Sequence, residues 1–455
     1  MEVNLDGLIN MADTLSNRYG IEYYEVRVVE EKFSAVVSQN GRIDEISANG
    51  ELGIGIRAFN GTWGFSSAND LSRVEKAIRT AMKIAKLSKR KNESKLYVGD
   101  PITDRVSLKV KREASIEEKL SLVKHASSLL DREGVSNRRV SYVDSFVRQV
   151  YFNSVGSLIE TFVPRVRFSM SVTAKEGSNM QRSWKSVGGT VGWELMERTN
   201  VEGIADYIVR DALSLLKASS PPAGSFDVVM DPELAGVFIH EALGHAVEAD
   251  SVKTGESILT GRLGEKIGVD GLNVVDDPTL PGKFGSYVYD DEGIPAKRVE
   301  IIKDGVLTGY LNDRETSAML ELEPNGHGRA QDYAHQPLVR MGNTFIEPGD
   351  WSFDEMLEEM RNGLYMVGDK GGQVDIANGT FTFAAREGYI VENGEIKEKV
   401  RDVALSGKIL DVLKNIRALG RDVKVEYPGY CGKGQWVPVD DGGPHVLTKA
   451  LVGGV

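Results

Sequence analysis

The sequence predicts an α+β fold in two domains: an N-terminal domain of antiparallel strands with flanking helices, and a C-terminal β-rich domain. Three observations predict it. The chain has 455 residues, more than one hydrophobic core usually serves. Short runs rich in Val, Ile, Tyr and Phe alternate with amphipathic helical patterns. A Ser- and Pro-rich linker, SSPPAG at 219–224, separates a domain of residues 1–220 from one of residues 221–455.

Residues 21–66 are predicted to form an antiparallel meander. Their apolar runs are interrupted by three Asn-Gly pairs, the dipeptide that suits type I′ hairpin turns: Asn40-Gly41, Asn49-Gly50 and Asn60-Gly61. The glycines of LGIGI at 52–56 lie inside this pattern and open no helix. They therefore indicate a strand and not a phosphate-binding loop.

Helices of the first half are predicted from their caps. One helix follows Asp70, a second begins at the capping box of Ser115 and Glu118, and a third begins at the box of Thr199 and Glu202. Residues 139–190, before the third helix, return to strand-like alternation.

The second half opens with a strand and a strongly signalled helix, in which Asp231 is the N-cap and Pro232 takes the first helical position. Beyond it the chain becomes rich in strands, with hairpins predicted at Asp304-Gly305 and Asn393-Gly394. A late helix is predicted over residues 407–419.

Composition and charge argue against several kinds of partner and location. Lys and Arg number 55 against 67 Asp and Glu, a net charge of −12, which argues against nucleic-acid and anionic-membrane partners. No apolar stretch reaches the ~18 residues of a membrane span. The opening residues MEVNLD lack the features of a secretory signal, so a cytoplasmic location is expected. The single cysteine, Cys431, allows no intrachain disulfide.

The helix that begins at Asp231 contains the sequence HEALGH at 240–245. Two histidines with a glutamate beside the first are the components of a zinc peptidase site. Imidazoles hold Zn²⁺, and the carboxylate accepts a proton from the attacking water. We therefore predict that His240 and His245 are metal ligands and that Glu241 is the catalytic base.

The spacing of the two histidines is unusual, because they stand five residues apart. On a regular α-helix they would point about 140° away from each other, too far to share a metal. One π-type turn would bring them to one side of the helix. The helix is therefore predicted to bulge or end between Ala242 and Ala246, with Gly244 as its weak point.

A catalytic zinc needs a third protein ligand and an open position. Six later side chains are candidates: Glu248, Asp250, His327, His335, Cys431 and His445. Cys431 is favoured over an inert buried thiol, because thiolates bind zinc well and its glycine-rich surroundings, predicted as a loop over 429–435, allow the backbone to approach a metal. Its sulfur and the two imidazoles should converge within roughly 4 Å.

These residues, in this order, resemble the TldD/PmbA family of metallopeptidases, specifically its TldD branch. The likeness covers most of the chain and is strongest after Asp231. It rests on segments such as HEALGHAVEAD at 240–250, GSYVYDDEGIPA at 285–296, NGHGRAQ at 325–331, RMGNTFIEPGD at 340–350 and GYCGKGQ at 429–435.

The resemblance implies a zinc-dependent peptidase that acts on unfolded or short peptides with little side-chain preference. It implies His240, His245 and Cys431 as the ligands of Zn²⁺ and Glu241 as the general base, so that this chain is a catalytic member. It also implies a dimer, either of two identical chains or with a PmbA/TldE-like paralogue that lacks the metal motif.

Three alternatives stay open at this stage: a non-catalytic peptide-binding subunit, a structural zinc site in a binding protein, and an amidohydrolase for non-peptide substrates. If the substrate is a peptide bound as an added β-strand, segments 325–345 and 371–383 have suitable strand-and-glycine character. Arg329, Arg340 and Asn343 are then the predicted substrate-binding side chains.

Overall fold

The architecture was obtained as a computed structural model, which describes residues 4–88 and 94–454. The expected α+β class is confirmed: helices cover one face of a large N-terminal sheet, and strands dominate the second half. Within these two ranges, no helix is long and apolar enough to cross a membrane.

The helices, with short 3-10 segments omitted, are as follows: α1 (Leu5–Tyr19), α2 (Val74–Leu87), α3 (Ile116–Leu129), α4 (Glu194–Arg198), α5 (Val201–Leu215), α6 (Pro232–Ile239), α7 (Ala249–Thr254), α8 (Arg314–Leu320), α9 (Phe353–Met360) and α10 (Ile409–Lys414).

The strands of the first half are β1 (Tyr23–Gln39), β2 (Arg42–Phe59), β3 (Trp63–Ala68), β4 (Thr103–Ser107), β5 (Val135–Asn153), β6 (Leu158–Glu176) and β7 (Asn179–Gly189). Those of the second half are β8 (Gly224–Met230), β9 (Val274–Asp276), β10 (Val299–Lys303), β11 (Val306–Leu307), β12 (Gly328–Arg329), β13 (Leu338–Val339), β14 (Asn343–Ile346), β15 (Gly363–Asp375), β16 (Thr380–Glu392), β17 (Glu395–Val400), β18 (Val403–Lys408), β19 (Ala418–Leu419), β20 (Lys424–Gly432), β21 (Trp436–Gly443) and β22 (Val446–Gly454).

The N-terminal sheet runs in the order β3-β2-β1-β5-β6-β4, with β7 also paired to β6. Successive side chains of β6 point to opposite faces of the sheet. Val166, Phe168 and Met170 are buried against the helices. Arg165 and Arg167, at the alternate positions of the strand, donate to backbone carbonyls of the second half. One face of the sheet therefore packs on its own helices, and the other meets the C-terminal half of the chain.

The predicted meander is confirmed at two of its three turns. Asn40-Gly41 and Asn60-Gly61 connect β1 to β2 and β2 to β3. The turn predicted at Asn49-Gly50 is wrong, because β2 continues through it and pairs Asn49 with Phe33 of β1. A 17-residue partner strand overrides the local turn preference of the dipeptide.

The places of the helices were predicted better than the residues at which they begin and end. The capping box at Ser115 is confirmed. The box predicted at Thr199 is wrong by one residue, because Asn200 caps α5 by accepting from the Gly203 amide. The late helix is shorter than 407–419, since the chain returns to a strand at Ala418 and pairs with β22.

The C-terminal half contains two large sheets with α6 against both of them. One has the order β11-β10-β9-β14-β21-β20; the other, β15-β8-β22-β18-β16-β17, closes on itself because β15 also pairs with β16. The hairpins predicted at Asp304-Gly305 and Asn393-Gly394 are confirmed as β10–β11 and β16–β17. The predicted boundary at residue 220 lies between α5 and β8, and the division into two domains stays a prediction.

A buried ion cluster joins the two halves. Arg57 of β2 pairs with Glu25 of β1 at 2.7 Å and with Glu292 of the C-terminal half, and all three side chains are at most 4% exposed. Glu292 also accepts from the backbone amide of Arg314. The two carboxylates therefore depend on Arg57 for charge compensation inside the protein.

Replacing Arg57 with Met should destabilise the chain by about 3–5 kcal/mol, because it leaves two buried carboxylates with a missing partner. The matched control is Arg148→Met, since Arg148 pairs with Glu30 and Glu160 while 47% exposed. That control should cost at most about 1 kcal/mol. Denaturant unfolding of both variants measures the difference, and equal losses would contradict the structural role of the Arg57 cluster.

Candidate metal centre

Helix α6 begins as its sequence predicts and ends irregularly. The Asp231 carboxylate accepts from the Leu234 amide at 2.9 Å, and Pro232 occupies the first turn. After Ile239 the backbone forms a π-helical turn over His240–Gly244, followed by a 3-10 turn over His245–Val247. The predicted irregularity between Ala242 and Ala246 is confirmed.

The π-turn brings the two histidines together. The His245 amide donates to the His240 carbonyl, five residues back, and the two imidazole centroids lie 5.3 Å apart with perpendicular planes. Gly244 allows close packing at this turn, because a Cβ there would lie 2.0 Å from the Met341 sulfur and the buried Met341 side chain would have to shift. The turn thus depends on a glycine for packing.

Cys431 completes the cluster from a strand distant in sequence. Its Sγ lies 3.4 Å from Nε2 of His245, and one ligand atom from each of His240, His245 and Cys431 lies within 4.8 Å of the other two. The upper distance is somewhat wider than the expected 4 Å. The predicted loop at Cys431 is wrong: the residue lies in β20, paired with Val437 of β21.

Glu241 lies beside the cluster. Its Oε2 is 3.8 Å from Nε2 of His245, and its side chain is 33% exposed, whereas the side chain of His240 is only 5% exposed. A carboxylate in this place is open to solvent and adjacent to the ligand atoms. That is the position a proton acceptor needs.

Two further carboxylates hold the outer nitrogens of the histidines. Oε2 of Glu248 lies 3.0 Å from Nδ1 of His245 and also 3.0 Å from the Lys433 ammonium. Oδ1 of Asp441 lies 2.7 Å from Nδ1 of His240, without the alignment of a hydrogen bond. Such outer carboxylates orient imidazoles toward a metal. The sequence offered Glu248 as a possible ligand and gave no signal for Asp441.

Electrostatics within the cluster favour a thiolate. Burial raises the pKa of the Cys431 thiol, but His240 and His245 outweigh burial and lower that pKa to about 6. Burial lowers the pKa of His245, but the charge of Glu248 prevails and raises it to about 10. Two imidazoles and a thiolate form a soft nitrogen and sulfur donor set, which fits Zn²⁺.

The other candidate ligands lie in separate contacts. His327 is fully buried against Asp276, His335 pairs with Asp332, and His445 pairs with Asp422. Among the described residues, His240, His245 and Cys431 are the group of His, Cys, Asp and Glu side chains close enough to hold one ion.

The predicted substrate-binding residues are buried and bonded within the chain. Arg340 donates to the carbonyls of Cys431 and Gln435, and Arg329 donates to those of Met341 and Pro438. The amide nitrogen of Asn343 donates to the Asp277 carbonyl and to Ser286. Arg340 thereby orders the strand that carries Cys431, and contact of these residues with substrate stays a prediction.

Two imidazoles and a thiol beside the carboxylate of an HExxxH turn are the groups that a metal-dependent hydrolase needs. Three family models match the chain: the PmbA/TldA metallopeptidase domain 1 at residues 24–85, the central domain at 110–216 and the C-terminal domain at 223–454. The chain therefore belongs to the PmbA/TldD family of metallopeptidases, as its sequence resemblance implied.

Similar proteins match most or all of the chain. A metalloprotease of Methanothermobacter thermautotrophicus is 43% identical, with 100% of both chains covered. A protein of Saccharolobus solfataricus named zinc metalloprotease TldD homolog is 35% identical over 74% of this chain and 76% of its own. The crystal structure of TldE from Thermococcus kodakarensis shares the fold, with a TM-score of 0.80 at 18% identity, covering 99% of this chain and 100% of its own.

The thiol of Cys431 should titrate with a midpoint near pH 6 in metal-free protein, because its pKa is lowered to about 6. Thiolate should be present above that pH and disappear below it. As this is the only cysteine, the ultraviolet absorbance of the thiolate reports it directly. Cys431→Ser is the control and should remove the titration; a midpoint near the ordinary value of about 8.5 would refute the electrostatic argument.

Glu248→Gln should weaken zinc binding about 10- to 100-fold, because the charged acceptor that orients His245 is lost. Competition with a coloured chelator measures the change. Asp250→Asn is the matched control, since Asp250 contacts the same Lys433 at 2.7 Å. That control should bind zinc nearly normally, and an equal loss in both variants would mean that Lys433 and not Glu248 matters.

Proposed function

We propose that the chain is a zinc-dependent peptidase that hydrolyses unfolded or short peptides. His240, His245 and Cys431 hold the Zn²⁺ ion, and Glu241 is the general base. The observation that carries the proposal is the convergence of two imidazoles and one sulfur beside a solvent-open carboxylate. A purely structural zinc site has no use for that carboxylate.

When bound, Zn²⁺ supplies Lewis acidity, which polarises a carbonyl and makes water easier to deprotonate. The chain supplies the rest. Oε2 of Glu241 accepts a proton from the attacking water and passes it to the nitrogen of the departing amine. When the C–N bond breaks, the hydroxyl of the water stays on the carbonyl carbon and the proton goes to the nitrogen. Glu241 is then a carboxylate again.

The surrounding residues keep the donor atoms in place. Glu248 directs Nε2 of His245 toward Cys431 by holding its Nδ1. Arg340, which is fully buried, anchors the carbonyl of Cys431 at 2.6 Å. A donor set prepared in this way loses little conformational freedom when the metal arrives.

Peptide substrate, assembly and location complete the proposal. We infer that an extended peptide is bound near the cluster, with Arg329, Arg340 and Asn343 as candidate contacts. We further infer a homodimer, or a heterodimer with a PmbA/TldE-like paralogue, located in the cytoplasm. The family membership and the fold shared with a protein named TldE support the assembly proposal.

Glu241→Gln should keep zinc and lower cleavage of a denatured protein by about 10²- to 10⁴-fold, because the side chain keeps its size and loses its basicity. The measurement pairs metal analysis with a digest in the presence and absence of chelator. Glu256→Gln, at an exposed glutamate, is the matched control and should leave cleavage unchanged. Near-normal turnover of the Glu241 variant would remove the base from the proposal.

His240→Ala should lose zinc and activity together, because it removes one of three donors. His125→Ala is the matched control: its imidazole is 53% exposed and pairs with Glu202, far from the cluster in sequence. Metal analysis of both purified variants decides the ligand assignment. Full zinc content in His240→Ala would show that the ion binds elsewhere.

A further inference from the structure

A cavity lies between the N-terminal sheet and the C-terminal half of the chain, with a volume of about 120 Å³. One wall comes from β1, β5 and β6, and the other from residues 287–291, residues 329–332 and Pro438. This volume accommodates a carboxylate or phosphate group. None of these wall residues is a metal ligand or the general base proposed above, and Arg329 is one of the candidate peptide contacts.

Two arginines of this cavity lack a carboxylate partner. Arg165 of β6 donates to the carbonyls of Phe284 and Ser286, and Arg329 donates to those of Met341 and Pro438. Among residues 4–88 and 94–454, neither guanidinium forms an ion pair. Arg329 is 5% exposed, so its charge is held away from solvent. A buried guanidinium group such as that of Arg329 is costly without a close counter-charge, and Arg165 is partly buried.

The acidic residues of the cavity are already engaged. Asp291 pairs with Arg27 at 3.2 Å, and Asp332 lies 2.7 Å from Nδ1 of His335. The Asp290 carboxylate accepts the amides of Glu292, Ile294 and Gly328. Burial raises the pKa of Asp290 well above its ordinary range, which favours its neutral form. Among the described residues, Arg165 and Arg329 therefore have no carboxylate within ion-pair distance, and the charge of Asp291 acts on both only from farther away.

The two guanidinium groups also repel each other. Burial lowers the pKa of Arg165, and the nearby charge of Arg329 lowers it further, to about 10. An anion bound in the cavity would face the guanidinium groups of Arg165 and Arg329. It would offset the cost of burying their charges and reduce their mutual repulsion. Arginine is suited to this task, because its planar N–H groups match the two oxygens of a carboxylate.

One hydrogen bond and one cross-strand pair connect the wall of the cavity with the metal cluster. Arg329 donates to the Pro438 carbonyl at 2.8 Å, and the preceding residue, Val437, is the cross-strand partner of Cys431. One strand residue spans about 3.4 Å. A group held at Arg329 is therefore only a few residues of extended chain from the metal ligands.

We propose that Arg165 and Arg329 form an oxyanion site that binds a carboxylate group in the cavity between the N-terminal sheet and the C-terminal half. The proposal rests on the proposed function only in taking a peptide's terminal carboxylate as the source. A free small anion, such as phosphate, shares the chemistry and would bind the same two guanidinium groups.

The test uses the full chain carrying Glu241→Gln, so that binding is measured without cleavage. Fluorescence anisotropy compares two pentapeptides labelled at the amino end, one with a free C-terminal carboxylate and one with a C-terminal amide. The free acid should bind about tenfold more tightly than the amide, since one charge-assisted contact has that effect. Adding Arg165→Gln should bring the ratio close to one.

Controls separate charge from folding. Arg165→Lys keeps the charge and should restore part of the preference. Arg167→Gln is the matched control, because Arg167 lies two residues along the same strand face, donates to the Pro428 carbonyl and does not line this cavity. It should keep the tenfold ratio. Circular dichroism and thermal unfolding verify that each variant is folded.

A second arm distinguishes the source of the anion. Inorganic phosphate is titrated into the unlabelled chain and into Arg165→Gln by calorimetry. Phosphate binding that requires Arg165, with equal affinities for acid and amide peptides, would assign the site to a free anion. Equal peptide affinities and no Arg165-dependent phosphate binding would overturn the proposal. Acid preference in the Glu241→Gln chain, together with no peptide cleavage by the unmodified chain, would refute the peptidase proposal and leave the oxyanion site standing.

Discussion

The five-residue spacing of His240 and His245 constrains the rest of the C-terminal half. Five residues apart, they can face one ion only if the helix gains a residue in one turn, and the π-turn over His240–Gly244 provides it. The altered hydrogen bonding is stabilised by packing. Ala242 and Leu243 are fully buried, and Gly244 lets the Met341 sulfur approach the backbone. Helix α6, the segment before β14 and strand β20 therefore have to meet at this turn.

Charge then determines how the cluster is held. Each imidazole faces the thiol with one nitrogen and an acidic side chain with the other, His245 toward Glu248 and His240 toward Asp441. Glu248 is itself neutralised by Lys433. The same carboxylates that raise the pKa of the metal-free histidines would make neutral imidazoles better donors to a cation. The site is thus prepared for a positive ion by its surroundings.

The N-terminal sheet contributes a surface instead of catalytic groups. Its long strands give one face to the helices and turn arginines of β6 toward the C-terminal half. The ion cluster at Arg57 anchors the two halves, and the cavity at Arg165 lies between them. The two halves have separate hydrophobic cores, and both contribute residues to the cavity.

Local sequence patterns predicted much of the fold. They failed where pairing with a strand distant in sequence determined the structure. The caps at Asp231 and Ser115 involve residues three positions apart, so sequence spacing was enough. Asn49-Gly50 became strand because β1 pairs across it, and the late helix was cut short by pairing with β22. Cys431, predicted in a loop, lies in a strand because β21 folds back on it.

By itself the sequence determined the α+β class, the family and the irregular turn of HEALGH. The turn was predictable because, on a regular helix, two histidines five residues apart cannot share a metal. Tertiary structure decided which distant groups join that helix. Strand pairing and packing bring Cys431 to the histidines across nearly two hundred residues and place the carboxylate of Asp441 behind His240. They also place Arg165 and Arg329 around one cavity. No local pattern encodes such contacts, since their energies arise only when separate elements meet.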